Sequence, residues 1–259
     1  MSLRRAVVTG ASSGIGEATV RALRAAGWDV VGVARRADRL EALDAEVGSA
    51  SFAADLTNEG DVAALAEHLG STGPVHALVH VAGGARGADR IEDGRAADWR
   101  WMFEVNVLSA QLVTAALLPL LRASITDDGD HADTLYVTST AAQTAYPGGG
   151  GYNAAKAGEA MLVHALRLEL NGEPIRVTEV APGMVFTEEF TVNRLGGDQA
   201  SAEKVYEGVE NPLVAGDVAD VIRYALNAPG HVNLDLIAMR PVAQSAQHVL
   251  ARGPLRPRT

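Results

Sequence analysis

The chain has 259 residues, 32 acidic and 22 basic, for a formal net charge of -10. That length suits one larger α/β domain whose core needs no disulfide or metal staple, and 47% apolar with 21% charged residues describes a globular chain. The acidic balance argues against nucleic-acid and anionic-membrane partners, which require basic surface, and the absence of cysteine removes disulfides, thiolate catalysis and Cys-ligated metals.

Ala6-Val7-Val8 is too short for a signal-peptide core, and Leu112–Leu121, interrupted by Thr114 and Pro119, falls short of a membrane span. A cytoplasmic protein is therefore expected. β-branched runs predict strands at Ala6–Thr9, Asp29–Ala34, Ser51–Ala54 and Ala77–Val81, with helical spacing at Gly14–Ala26, Ala37–Val47 and Thr57–Leu69 between them. The rhythm continues as a long helix over Asp98–Arg122, a strand at Thr134–Thr138, a helix over Tyr152–Leu170 and a strand at Ile175–Ala181. A helix at Asp217–Asn227 and a strand at Leu234–Met239 complete it. Strand and helix in alternation build a parallel sheet, and strands as apolar as Val30, Val31 and Val33 need cover on both faces. With no linker between the halves, residues 1–259 read as one doubly wound α/β domain of about seven strands. Two loops break the pattern. The acidic stretch Thr126–Asp133 lacks calcium-loop spacing and reads as a solvated loop, so no metal is expected. The loop at about 184–211 is long enough either to be a substrate lid or to be an excursion without a role.

After the first strand, Thr9-Gly10-Ala11-Ser12-Ser13-Gly14-Ile15-Gly16 opens the first helix. Glycines let the backbone approach a pyrophosphate, and the helix N-terminus offers free N–H groups. The spacing is neither the usual dinucleotide fingerprint nor a P-loop. The second strand ends on Ala34, Arg35 and Arg36, where a carboxylate would select NAD. Two guanidiniums there favour a 2′-phosphate, hence NADP(H), with Arg35 on the phosphate and Arg36 on the phosphate or the adenine. Asp55 and Leu56 are placed for the adenine amino group and ring.

Tyr152 and Lys156 stand at i and i+4, on one helical face. Lys156 is one of only two lysines, with Lys204, so a chance Tyr-x-x-x-Lys is expected only ~0.04 times. An ammonium beside a phenol stabilises the phenolate and lowers its pKa toward a useful acid–base range. Ser139, at the end of the fifth strand, is placed to hold a substrate oxygen beside that phenol.

Taken together, Thr9–Gly16, Asp55, Asn106, Ser139, Tyr152, Lys156 and Pro182-Gly183 resemble, in order and along nearly the whole chain, the short-chain dehydrogenases/reductases. The resemblance implies a Rossmann-type sheet and an oxidoreductase acting on CH–OH groups. Arg35-Arg36, Ile175-Arg176-Val177-Thr178, Pro182-Gly183-Met184-Val185, Glu189-Phe190, Pro229-Gly230-His231-Val232-Asn233 and Met239-Arg240-Pro241-Val242 narrow it to the NADP-dependent 3-hydroxy acid dehydrogenases. By that resemblance Asn106 joins a water-linked proton relay with Lys156, Ser139 polarises the substrate and Tyr152 is the acid/base. Ala82 and Gly83 contact the cofactor through backbone, while Pro182, Gly183, Val185 and Thr187 clamp the nicotinamide amide. The family pattern also places the helices Asp98–Arg122 and Tyr152–Leu170, with small residues such as Ala110, Ala115, Ala116, Ala160 and Ala165, at a homodimer or homotetramer interface. The chain departs from the family at His80-Val81, where two asparagines are usual; His80 reads as a structural histidine or as a relay group. The substrate stays open among short hydroxy acids, sugars and steroids. If it is a 3-hydroxy acid, Arg194 in the 184–211 loop is the candidate carboxylate partner; the alternative is a solvated loop charge balancing Glu188 and Glu189. A non-catalytic NADP(H) sensor and a nucleotide-sugar epimerase are the rival readings.

Overall fold

Strands apolar on both sides can be satisfied only between two helical layers, and the computed structural model, which describes residues 3–126 and 131–257, shows that arrangement. The first half runs β1 (Arg5–Thr9), α1 (Gly14–Ala25), β2 (Asp29–Ala34), α2 (Ala37–Val47), β3 (Ala50–Ala53), α3 (Glu59–Thr72) and β4 (Ala77–His80). The second runs α4 (Ala96–Phe103), α5 (Ser109–Ala123), β5 (Ala132–Val137), α6 (Gly150–Glu169) and β6 (Ile175–Pro182). Then follow β7 (Val185–Phe186), α7 (Phe190–Arg194), α8 (Gln199–Tyr206), β8 (Leu213–Val214), α9 (Ala215–Leu226), β9 (Leu236–Met239) and a hairpin of β10 (Gln244–Ala246) and β11 (Val249–Leu250). Seven parallel strands lie in the order β3-β2-β1-β4-β5-β6-β9.

Side chains alternate across the sheet with period two. Val7, Val31, Leu78, Tyr136 and Val177 meet α3, α5 and α6 through Leu65, Leu69, Val113, Leu117 and Val163. Val8, Val30, Val79, Leu135 and Val180 meet α1, α2 and α9 through Val20, Leu23, Leu40, Val218 and Ile222 on the other face. Chain order reverses between β1 and β4, so their C-terminal ends diverge and open the crevice where such sheets bind ligands.

Four expectations change. Strand five begins at Ala132, two residues early, and Asp133 is buried in ion pairs with Arg4 (2.9 Å) and Arg176 (2.7 Å). Asp133 thus belongs to the base of the sheet and not to a solvated loop; residues 127–130 of that loop lie outside the described residues. The long helix is interrupted by a π-helical turn, Glu104–Leu108. The Asn106 side chain takes the Met102 carbonyl at 2.6 Å, a carbonyl that regular backbone bonding would use, which accounts for the wider turn. By length and hydropathy the 96–123 stretch is also long and apolar enough to cross a membrane, against the expectation; here Val113, Leu117 and Leu121 are buried under the sheet. Finally, 184–211 is not a bare loop: β7 pairs with β8, and α7 and α8 lie between them.

Candidate active site

The loop after β1 is shaped by contacts only glycine allows. Gly10 has φ 68, and a Cβ there would fall 2.9 Å from the Ala82 nitrogen. A Cβ on Gly16 would lie 2.2 Å from the Gly10 carbonyl oxygen. Thr9 ties this loop to the end of β4, its hydroxyl accepting from Val81 and Ala82 amides at 3.0 Å each. Ser13, at the N-cap of α1, makes no capping bond, so the first amides of α1, at Gly14 and Ile15, keep their positive field for an anion. Thr187 approaches from β7, its methyl 3.5 Å from where a Gly14 Cβ would stand. This cradle fits a dinucleotide pyrophosphate.

The two arginines after β2 differ in the structure. Arg35 is exposed and its charge reaches Asp55. Arg36 is already partnered: it donates to the Ser12 hydroxyl at 3.1 Å and forms a bidentate pair with Glu189 at 2.8 and 3.0 Å. Asp55 is held below the usual carboxylate range, first by the Thr57 amide and then by its hydroxyl. Leu56 beside it is buried.

At the end of β5, Ser139 accepts from the Ala141 amide at 3.0 Å and donates to the Pro182 carbonyl at 3.4 Å. Tyr152 sits in the first turn of α6. Gly150 and Gly151 just before it leave room for Trp99 and Met102 of α4, which sets how close α6 comes. Asn153 donates to the Ala141 carbonyl at 2.6 Å, tying that turn to the segment after Ser139. Burial raises the Tyr152 phenol above its ordinary value; Lys156 and the Ser139 hydroxyl pull it down but do not prevail. The expected lowering by Lys156 is therefore present but outweighed. Lys156 itself is 4% exposed and donates to the Val137 carbonyl at 3.1 Å and to Glu159 Oε2 at 2.6 Å. Burial works to lower its pKa, yet Glu159, with Tyr152 and Glu179, holds the ammonium above its usual range.

Asn106 is fully buried and approaches Gly83, as does Lys156. Its amide is engaged by backbone: it donates to the Gly84 and Met102 carbonyls and accepts from the Gly84 amide at 3.1 Å. No direct bond joins it to Lys156; it braces the turn that holds Ala82 and Gly83. His80 stacks on Tyr136 at 4.7 Å and shares a 3.2 Å hydrogen bond with Thr114. Burial first, and then the Lys156 charge, push it down to about 3, so it is neutral and structural.

Pro182 and Gly183 close β6, and a Gly183 Cβ would strike Gln244 at 2.3 Å; Gln244 also accepts from the Met184 amide at 2.8 Å. Val185, in β7, accepts from Tyr206 through its carbonyl at 3.0 Å. Arg194 is no solvated loop charge. It donates to the Gly87 carbonyl (3.1 Å), the Tyr146 hydroxyl (2.9 Å) and the Gly148 carbonyl (3.1 Å), and its guanidinium stands 5.7 Å from the Tyr152 ring centre. No carboxylate pairs with it among the described residues. A cleft lined by Arg86, Asp89, Arg95, Asp98, Trp99 and Tyr152 opens alongside.

Sequence reasoning missed Glu159, Glu189 as a partner of Arg36, Gln244 and the cleft arginines. Glu159 alone left a trace, since its i+3 spacing from Lys156 puts both on one helical face. The others meet the site from remote segments.

The family model for short chain dehydrogenases matches residues 4–195. An uncharacterized oxidoreductase of Mycobacterium tuberculosis is 49% identical over 253 residues, covering 98% of this chain and 97% of its own length. Serine 3-dehydrogenase of Rhizobium radiobacter is 38% identical over 244 residues, covering 92% and 94%. The closed form of a serine dehydrogenase complexed with NADP+ superposes with a TM-score of 0.88 at 30% identity, covering 96% of this chain and 99% of that one. The glycine cradle, the Ser139–Tyr152–Lys156 centre and these likenesses agree: this chain belongs to the short-chain dehydrogenase family and is an oxidoreductase acting on alcohol groups.

Proposed function

We propose that the protein is an NADP(H)-dependent dehydrogenase/reductase of a short 3-hydroxy acid, with Tyr152 as general acid/base. The observation that carries the substrate class is Arg194, a cation held over the Tyr152 ring by three neutral oxygens and no carboxylate. Of its five N–H donors, two remain for a ligand, and a fork of this kind suits a carboxylate. The likeness to serine 3-dehydrogenase, named for a 3-hydroxy amino acid, points the same way. Exposed Arg35, with no acidic residue in its place, supports NADP(H) over NAD, as does the NADP+ in the serine dehydrogenase complex.

When bound, the cofactor supplies or takes up the hydride. Ser139 holds the substrate oxygen, Tyr152 gives that oxygen a proton in reduction or removes it in oxidation, and Lys156 steadies the phenolate. Arg194 fixes the carboxylate, and Asn106 keeps the 82–84 turn in place beside Lys156. A cofactor sensor would need none of this proton-handling set. The protein works as a homo-oligomer, a dimer or tetramer, in the cytoplasm.

Arg194→Met is expected to raise KM for short 3-hydroxy acids roughly 10- to 100-fold, the loss of one charge-assisted contact. An uncharged alcohol of similar size should be little affected. Steady-state kinetics on both, with each nicotinamide cofactor, check this; equal effects on the two substrates remove Arg194 from the site.

A further inference from the structure

We propose that Glu159 is a positioning residue that holds the Lys156 ammonium in a buried ion pair and thereby sets the pH at which Tyr152 exchanges its proton. The proposal rests on the reading of Tyr152 as acid/base. The pair is short and enclosed: Nζ to Oε2 is 2.6 Å, with Lys156 at 4% and Glu159 at 1% exposure. A second ammonium hydrogen goes to the Val137 carbonyl at 3.1 Å, so one N–H of three is left for the phenol side.

Beneath the pair lies another buried carboxylate, Glu179 of β6, at 1% exposure. It accepts from the Thr138 hydroxyl at 2.6 Å and shares a 3.2 Å bond with His164 of α6. Of the other groups, Tyr146 raises the phenol as Glu159 does, and the Arg194 guanidinium stands 5.7 Å from the Tyr152 ring centre. His80 of β4 is neutral, and Tyr136 of β5 is pushed up to about 12, by burial first. The Lys156 ammonium thus faces two carboxylates, the second of which also pairs with His164.

This arrangement governs Tyr152 electrostatically. An ionised Glu159 cancels much of the Lys156 field, and it acts on the phenol in the direction opposite to Lys156. A neutral Glu159 leaves the full positive charge facing the phenol. Burial, with Glu179 adding to it against the pull of Lys156, pushes Glu159 up to about 7, so the switch between these two conditions falls near neutrality. In alcohol oxidation the phenolate is the active form, so kcat/KM rises with pH through the Tyr152 pKa. Removing the Glu159 charge should make the phenol more acidic and move that rise downward.

The test uses the full-length enzyme. For Glu159→Gln, the rise of kcat/KM for oxidation is expected about one pH unit lower than in wild type. Glu159→Asp, which keeps the charge, should return the rise toward the wild-type position. A profile of folded Glu159→Gln that superposes on wild type overturns the proposal. A second measurement needs neither turnover nor a stable variant. The chain has only two lysines, so lysine labelled with 15N at Nζ gives two signals. The Lys156 signal in wild type is expected to show a titration step near neutrality that reports Glu159; a signal unmoved over the whole range in which the enzyme is folded overturns the proposal. Loss of the Tyr152 reading would appear separately, as turnover surviving in Tyr152→Phe with the Lys156 step intact.

Discussion

A single oxygen separates a working Tyr152 from a phenylalanine, and the structure shows why that oxygen matters. The phenol stands against Ser139 and in the field of Lys156, while its ring packs edge-on to Phe190 at 5.7 Å. Tyr152→Phe keeps the ring contact and removes the proton. Turnover is expected to fall by about 10²- to 10⁴-fold, the usual share of general acid–base catalysis. NADPH binding, followed by quenching of the chain's own fluorescence, should be unchanged. Turnover near wild type in a folded variant would assign the acid elsewhere. Lys156 is the residue whose setting departs most from its sequence reading, because a partner three positions away claims its charge.

Between elements, the notable link is the pair that fastens the start of α2 to the start of α7. Arg36 caps α2 and Glu189 precedes α7, which carries Arg194 at its last turn. A 2′-phosphate near Arg35 would compete with Glu189 for Arg36, and the Glu189 carboxylate would repel it. Glu189→Gln is therefore expected to tighten NADPH binding relative to NADH by about 3- to 10-fold. The effect stays small because both partners are a third or more exposed and screened by solvent. Titration calorimetry with both reduced cofactors measures the ratio; an unchanged ratio would mean that Arg36 takes no part in the phosphate site.

For the whole molecule, one unpartnered apolar surface lies on the paired helices. Met161 and Leu168 of α6 are 64% and 79% exposed, with Ala165 between them; Phe103 and Leu108 are 46% and 44% exposed beside a groove with Trp99 and Ala154. Two of the small residues expected to make the interface, Ala110 and Ala160, are buried within the chain and face the core. The contact surface we propose is therefore made by Phe103, Leu108, Ala115, Met161, Ala165 and Leu168, with a second copy of this chain as its occupant. Sedimentation velocity at micromolar concentration is expected to give a dimer or tetramer, and Leu168→Glu to shift it toward monomer. A wild-type protein that sediments as a monomer alone would refute the proposal.

Much of this protein was legible in the chain because its signals are local. Short β-branched apolar runs alternating with helical spacing placed every strand of the main sheet within about two residues of its observed start. The Gly10–Gly16 loop and the Tyr152–Lys156 spacing likewise depend on neighbours in sequence, where backbone sterics and helical geometry decide the outcome. Tertiary structure alone decided what remote segments do to those groups. It brought Glu189 to Arg36 across 153 positions and Arg194 to Gly148 across 46. It also enclosed Lys156, Glu159 and Glu179 in one low-dielectric space, where burial outweighs the local pairing that the sequence displays. Desolvation and charge–charge coupling depend on what surrounds a group in space, and no spacing along the chain encodes that.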